Sequence, residues 1–442
     1  MANDLQIQPK LSSSRAAVVQ TTGARQYVIA LAVVATIFGA LYLFYARPGS
    51  AGDEPAHYAN VIYYARHKCM PILGQPEVSY EGQMGPVYYA LSAPVWLACA
   101  GLGEHEAFFA LRIFDLLLVP LTVFLSYRLA SIAKPEDKTF VLATTTFMAL
   151  NPSLLSIAAS IQNDALTCVL TMAISLLCFK FMQDDTNLIR KGVLIGLLTG
   201  VAILTKATAV FLVVAIPVYA IVCWRWRSAK FIAAFGSAVG LSAGWWFVRN
   251  VVLYGDLSAQ AALTKFNYNN NPPPFDFREW PKLRHFLWET ETYYWMPIQY
   301  YRDVFHTPVW LRSIVGIFTA LGLIGAFGIV VKHVKDCLQN KTLKPFFPLF
   351  MATQYAVCML VFIYSCARIT HFAARVTFPT IIIYAAMIAS GCFVVRKFKQ
   401  SEKAFLALLA AGMIAANVYV LIQLNSMPVL PFHHIFSVPP YL

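Results

Sequence analysis

Charge is what this sequence has least of. Only 12% of its 442 residues are Asp, Glu, Lys or Arg, about half the share of an ordinary soluble domain. Together with 59% apolar residues and a mean hydropathy of +0.60, that scarcity excludes a soluble globular protein. Alternation is missing too: the apolar residues come in continuous blocks, which excludes a β-barrel. No Cys-x-x-Cys pair occurs among the nine cysteines. Eight of them lie in or beside apolar runs or in a basic loop, and only Cys69 falls in a stretch read as external. No disulfide framework, redox centre or zinc site is therefore expected. No long basic tail accompanies the net charge of +13, so nucleic acid is not an expected partner. Lys and Arg gather instead in short loops between apolar runs, as on the cytoplasmic side of a membrane protein.

What is present is a series of runs long enough to cross a hydrocarbon core of roughly 30 Å. They lie near 26–46, 86–102, 107–130, 139–157, 163–182, 190–205, 207–223, 231–250, 309–331, 347–366, 373–395 and 404–424. The first, "YVIALAVVATIFGALYLFYA" (27–46), is too long for a signal-peptide core and reads as an uncleaved anchor with its N-terminus in the cytoplasm. If all twelve runs crossed, the basic loops at 128–138, 188–191 and 224–230 would fall outside. If 86–102, short and carrying Pro86 and Pro94, enters without crossing, every basic cluster becomes cytoplasmic. The external loops are then 47–106, 151–163, 251–308 and 367–372. The expected architecture is an all-α polytopic membrane protein of about 11 transmembrane helices, with juxtamembrane helices and a re-entrant segment. A cytoplasmic tail (1–25) precedes the membrane domain (26–424), and an external tail (425–442) follows it.

This topology gathers the unusual polar residues on one side. "GDEPAHYANVIYY" (52–64) opens the first external loop with Asp53 and Glu54. Pro55 suits a first helical turn, so Asp53 reads equally well as an N-cap or as a general base toward an incoming hydroxyl or amine. His57, four residues on over the same face, could with Asp53 orient a substrate or bind a metal, and one His with one Asp favours orientation. "SYEGQMGPVYYALSAP" (79–94) supplies Glu81 and an aromatic pair beginning at Tyr88, which read as a second wall of the same cleft. Asn163 and Asp164 stand at a span boundary, where capping is the rival role. Lys206 sits with Thr205 between two short spans, a costly place for an ammonium. "GWWFVRNVVLYGDL" (244–257) adds Arg249, Tyr254 and Asp256, and "CARITHFAARVTFP" (366–379) adds Arg368, His371 and Arg375. Arginines on the side where the positive-inside rule least expects them favour an anionic ligand. The loop at 251–308 is rich in aromatics, suited either to stacking on sugar rings or to lying on the bilayer surface.

In this order the motifs resemble the GT-C superfamily, membrane glycosyltransferases that take a sugar from a polyprenyl-phosphate carrier. "GDEPAHYANVIYYAR" and "YEGQMGPVYYAL" are similar to first-loop signatures of the protein O-mannosyltransferase and aminoarabinose transferase group. "ALRIFDLLL", "NDAL", "LTKAT", "WWFVRNVVLYGDL" and "ARVTFP" resemble later signatures of an uncharacterised bacterial branch, so the likeness runs over about residues 25–395. One departure stands out: paired prolines are replaced by Gly85-Pro86, with Gln83 where His is common. The resemblance implies a GT-C-like bundle in a bacterial inner membrane, with its site on the periplasmic face. It implies an inverting transfer from a polyprenyl-phosphate-sugar donor to a glycan, lipid or protein acceptor, with Asp53 as catalytic base and Glu54 beside it. It further implies that Lys206, Arg249 and Arg375 meet the lipid phosphate or shape its cavity. No cofactor is expected, and a divalent metal, used by some relatives, has no recognisable ligand cluster here. A secondary transporter would show inverted repeats and midplane polar groups, neither of which is visible. A non-catalytic scaffold for envelope assembly would leave the acidic pair and Arg249 without a role.

Overall fold

The computed structural model describes residues 22–266, 276–297, 307–340, 347–369, 374–398 and 400–427. Their regular elements are all helical, in the order α1 (Thr22–Tyr45), α2 (Glu54–His67), α3 (Val87–Cys99), α4 (Glu104–Leu116), α5 (Leu118–Ala133), α6 (Lys138–Ala149), α7 (Pro152–Ala158), α8 (Asn163–Phe181), α9 (Leu188–Thr205), α10 (Phe211–Trp224), α11 (Ser228–Val239), α12 (Trp245–Tyr254), α13 (Gln260–Lys265), α14 (Trp280–Tyr293), α15 (Val309–Asn340), α16 (Phe347–Ile369), α17 (Ile381–Ala389), α18 (Gly391–Val395) and α19 (Ser401–Ser426). Tight single turns at Tyr80–Gln83 and Ala374–Thr380 complete the parts that matter for the site.

Nine of these helical units are long and apolar enough to cross a membrane, ten if α6 and α7 count as one span bent by 47°. Asn151 makes that bend: its side chain caps α7 by accepting from the Leu154 N–H at 2.9 Å, and Pro152 starts the new helix. The unit Ala207–Tyr254, 48 residues long, would extend roughly 70 Å if straight, twice a membrane. It turns back at Arg225–Arg227, where α10 and α11 pack together. With its two legs counted separately and the bent pair as one span, the total is the expected eleven. α3 has 13 residues, about 20 Å, too short to cross, and it packs on α2 and α4.

The helices are apolar on both faces because one faces lipid. Along α1, Leu31, Ala35 and Tyr42 are buried, whereas Ile29, Val33 and Ile37 are each more than half exposed. Such a face is tolerated only in hydrocarbon. This is an integral membrane protein.

Successive spans alternate in direction, which sorts the loops to two ends. At one end Arg227 pairs with Asp185 at 2.5 Å and Arg396 with Asp137 at 2.5 Å, joining the basic loops assigned to one side. The other end carries α2, α3, the 80–83 turn, the α8 start, the α9 end and the 374–380 turn. Asp53 lies there.

Candidate functional site

The acidic pair splits into two roles because consecutive residues on a helix point about 100° apart. Glu54 turns inward and is fully buried. Arg112 of α4 meets it in a two-pronged ion pair, with Nε and Nη2 donating to its two oxygens at 2.8 and 2.7 Å. The same guanidinium donates to the carbonyls of Leu43, Ala46 and Arg47 at 2.9, 2.6 and 3.0 Å, so all five of its N–H groups are used. Glu54 also accepts from the backbone N–H of Gly49 at 3.0 Å and of Ile161 at 3.1 Å. This knot fastens the end of α1, the start of α2 and the 160–164 strap around α4. Every lone-pair direction of Glu54 has a donor, which leaves none for a substrate. The family resemblance puts Glu54 beside Asp53 in catalysis; in this structure its carboxylate is engaged by Arg112 and two backbone N–H groups.

Asp53 occupies the N-cap position of α2, yet its side chain makes no capping hydrogen bond. One oxygen accepts from the Tyr80 hydroxyl at 2.6 Å and the other pairs with the Arg375 guanidinium. Arg375 begins the span at the 374–380 turn and donates to Oε1 of Gln162 at 2.8 Å. Both charged side chains keep some access to solvent, 18% for Asp53 and 8% for Arg375. A carboxylate and a guanidinium from distant parts of the sequence thus meet where both keep partial contact with solvent.

Beside them stands a second polar group. Lys206 pairs with Asp164 at 2.7 Å, and His57 Nδ1 shares a hydrogen bond with the Tyr89 hydroxyl at 2.8 Å. Burial, with the Lys206 ammonium nearby, holds His57 well below its ordinary pKa. Its 3.9 Å approach to Glu81 therefore joins a neutral imidazole to a carboxyl rather than an ion pair. Glu81 is pushed up to about 7 by burial, against the pull of Lys206. Gly85 allows this closeness: a Cβ there would stand 2.1 Å from the Leu204 carbonyl oxygen, so only glycine lets the Glu81 turn press against the α9 end that carries Lys206. Neither Asn163 nor Asp164 caps its helix; Asn163 donates to the Thr205 carbonyl at 3.1 Å. Because Glu81 binds its proton more tightly when folded, its contribution to stability is complete below about 4.5 and is lost as pH rises to about 7. Over that interval Glu81 pulls the unfolding temperature down while His57, held neutral, pulls it up, and Glu81→Gln is expected to remove the downward share, so that the profile rises more with pH in a thermal-shift titration.

Other predicted residues lie elsewhere in this end of the molecule. Tyr88 is fully buried, and its hydroxyl donates to Asp115 at 2.6 Å, so it braces α3 against α4. Arg249 donates to the Pro71 carbonyl at 2.5 Å and lies over the Trp246 and Tyr254 rings at 4.7 and 6.0 Å. The Tyr254 hydroxyl accepts from the Leu73 N–H at 3.1 Å. Arg249 and Tyr254 therefore clamp the first external loop onto α12, and Nη1 of Arg249 is buried without a hydrogen-bond partner. Asp256 is occupied by a local turn, accepting from the N–H groups of Ser258 and Ala261 at 2.7 Å each. The Arg368 side chain and His371 lie outside the described residues, as do most of both tails and two stretches of the 251–308 loop.

Sequence reasoning missed Tyr80, Arg112, Asp115 and Gln162. An arginine and an aspartate three apart inside the apolar run "ALRIFDLLL" were a usable signal, since intramembrane charges need partners. Tyr80 and Gln162 gave none. Among the described residues, no three His, Cys, Asp or Glu side chains form a metal-ligand set, and Asp164 holds the Lys206 ammonium instead.

Residues 95–246 match the family model described as dolichyl-phosphate-mannose-protein mannosyltransferase. That stretch holds Arg112, Asp115, Asp164 and Lys206 but neither Asp53 nor Arg375. Among solved structures, the apo oligosaccharyltransferase of Archaeoglobus fulgidus aligns at a TM-score of 0.56 and 14% identity, over 92% of this chain and 57% of that one. ArnT from Cupriavidus metallidurans, bound to undecaprenyl phosphate, aligns at 0.51 and 14% identity, over 95% of this chain and 75% of that one. The chain has the GT-C fold. The chain spans little more than half the length of the archaeal enzyme. No curated protein sequence matches it. Within the GT-C fold, the Asp53–Arg375 opening lies at the end of the bundle where α2 and α3 lie between the spans.

Proposed function

We propose that this GT-C chain is a glycosyltransferase that moves a sugar from a polyprenyl-phosphate carrier to a glycan, lipid or protein acceptor, inverting the anomeric centre. The observation that carries the reading is the use made of Asp53: it stands at a helix N-terminus without capping it and meets a guanidinium at a partly open site. In the reaction the acceptor oxygen or nitrogen attacks the anomeric carbon. Its proton goes to Asp53, the bond from carbon to phosphate oxygen breaks, and the carrier departs as its phosphate. Arg375 stabilises the charge gathering on that phosphate. A donor phosphate competes with Asp53 for the guanidinium, so donor arrival frees the base it needs. Tyr80 steers the carboxylate, and Glu54 and Arg112 hold the start of α2 in register. Asn60, Glu81, Gln162, Asn163 and Asp164 each keep one buried polar atom without a hydrogen-bond partner, capacity that a sugar's hydroxyls would use. The prenyl tail stays in lipid, which suits a site at the bilayer edge. The basic loops at the opposite end support a site on the external face, with the N-terminus cytoplasmic and a bacterial inner membrane as the setting.

Arg375→Gln tests the donor half of this reading. Affinity for polyprenyl phosphate, titrated by native mass spectrometry, is expected to drop about 10- to 100-fold, the worth of a charge-assisted hydrogen bond to phosphate. Undiminished affinity in a folded variant would count against it.

A further inference from the structure

A groove of about 860 Å³ opens at the end of the bundle opposite Asp53, one full span away along both α4–α5 and α17–α18, and sugar transfer makes no use of it. Its form follows from two glycines of α15. A Cβ on Gly325 would stand 2.0 Å from the Ser390 carbonyl oxygen, so here the helix touches the α17–α18 junction; a Cβ on Gly328 would meet nothing within 4 Å. The two elements part within one turn, leaving a cleft walled by apolar groups such as Ile329 and Phe393. The cleft is open to the bilayer, because Leu323, Phe327 and Val330 on the same helix are all more than half exposed.

The rim is cationic. Lys134, in the loop after α5, lies 5.8 Å from the Phe393 ring centre. Burial lowers its pKa, with Lys332 of α15 acting in the same sense and Asp137 and Glu136 opposing. Acidic groups line the rim as well. Asp137 is committed to Arg396 and to the Phe140 N–H, and Arg396 also pairs with Glu402. Taken together, Lys134, Lys332, Arg396 and Lys397 outnumber Glu136, Asp137 and Asp336 by one. Two lysines lining one apolar cleft at the membrane edge match an amphiphile with an anionic head. A free phosphate would satisfy the lysines but leave the apolar half unfilled.

We infer that this groove binds one anionic phospholipid, its phosphate between Lys134 and Lys332 and an acyl chain in the cleft between α15 and α18. The full-length protein, purified in detergent with equal phosphatidylglycerol and phosphatidylcholine, is expected to retain the anionic lipid about tenfold more in native mass spectra. Lys134→Gln with Lys332→Gln should bring phosphatidylglycerol down to the phosphatidylcholine level. Gly328→Leu, which fills the cleft and leaves the charges, should reduce it comparably. The inference is overturned if either folded variant keeps the wild-type preference, or if inorganic phosphate displaces the lipid completely.

Discussion

Asp53→Asn is expected to lower sugar transfer at least about 100-fold, the lower range for loss of a general base, while the protein folds and still binds its carrier. The amide keeps an oxygen for the Tyr80 hydroxyl and for one Arg375 N–H, so the local framework survives. What it loses is the ability to take a proton. Had Asp53 been a helix cap, the same substitution would cost stability and leave activity per folded molecule unchanged; the structure shows no capping bond to lose. Stability should fall as well, by up to about 3 kcal/mol, because a mostly buried guanidinium loses its charged partner, so transfer is read per folded molecule. Transfer is read by mass spectrometry of glycans made by the purified variant, and unfolding by thermal shift. Near-normal turnover in Asp53→Asn would remove the carboxylate from the reaction.

Arg112→Ala should produce the largest loss of stability, about 3–5 kcal/mol, because it leaves Glu54 charged, buried and unpaired. Three backbone carbonyls at the end of α1 lose their donors at the same stroke. Glu54→Gln should cost less, since an amide still accepts from Arg112 and from the Gly49 and Ile161 N–H groups. Activity should fall in both variants with the folded fraction, and the surviving folded molecules should keep their response to pH. The ranking is checked by denaturation of the two variants in the same detergent. A Glu54→Gln protein that is fully stable yet inactive would return Glu54 to the chemistry.

The contrast between neighbours 53 and 54 shows where sequence reading ends. Spans are legible because a bilayer demands apolar blocks of fixed length, and the basic loops then say which segment fails to cross. Asp53 and Arg375 are legible as charges at the end of the molecule where the topology least expects them. Their partnership is not, for nothing local to either residue records a contact between the first loop and the 374–380 turn. Asp53 and Glu54 look like one feature along the chain, whereas helix geometry sends the two side chains to different surroundings. Arg249 shows the same limit: an arginine near an open face signals an anion, and here the carbonyl of Pro71 and two aromatic rings hold it while its Nη1 is buried without a hydrogen-bond partner.

The central claim is that a donor phosphate displaces Asp53 from Arg375. Its most direct measurement is a structure of the protein bound to polyprenyl phosphate in a lipid nanodisc. The phosphate should lie within hydrogen-bonding distance of the Arg375 guanidinium, with the Asp53 carboxylate released toward the opening and the Glu54–Arg112 pair unmoved. A phosphate bound away from Arg375, with the Asp53–Arg375 pair still closed, would contradict the account.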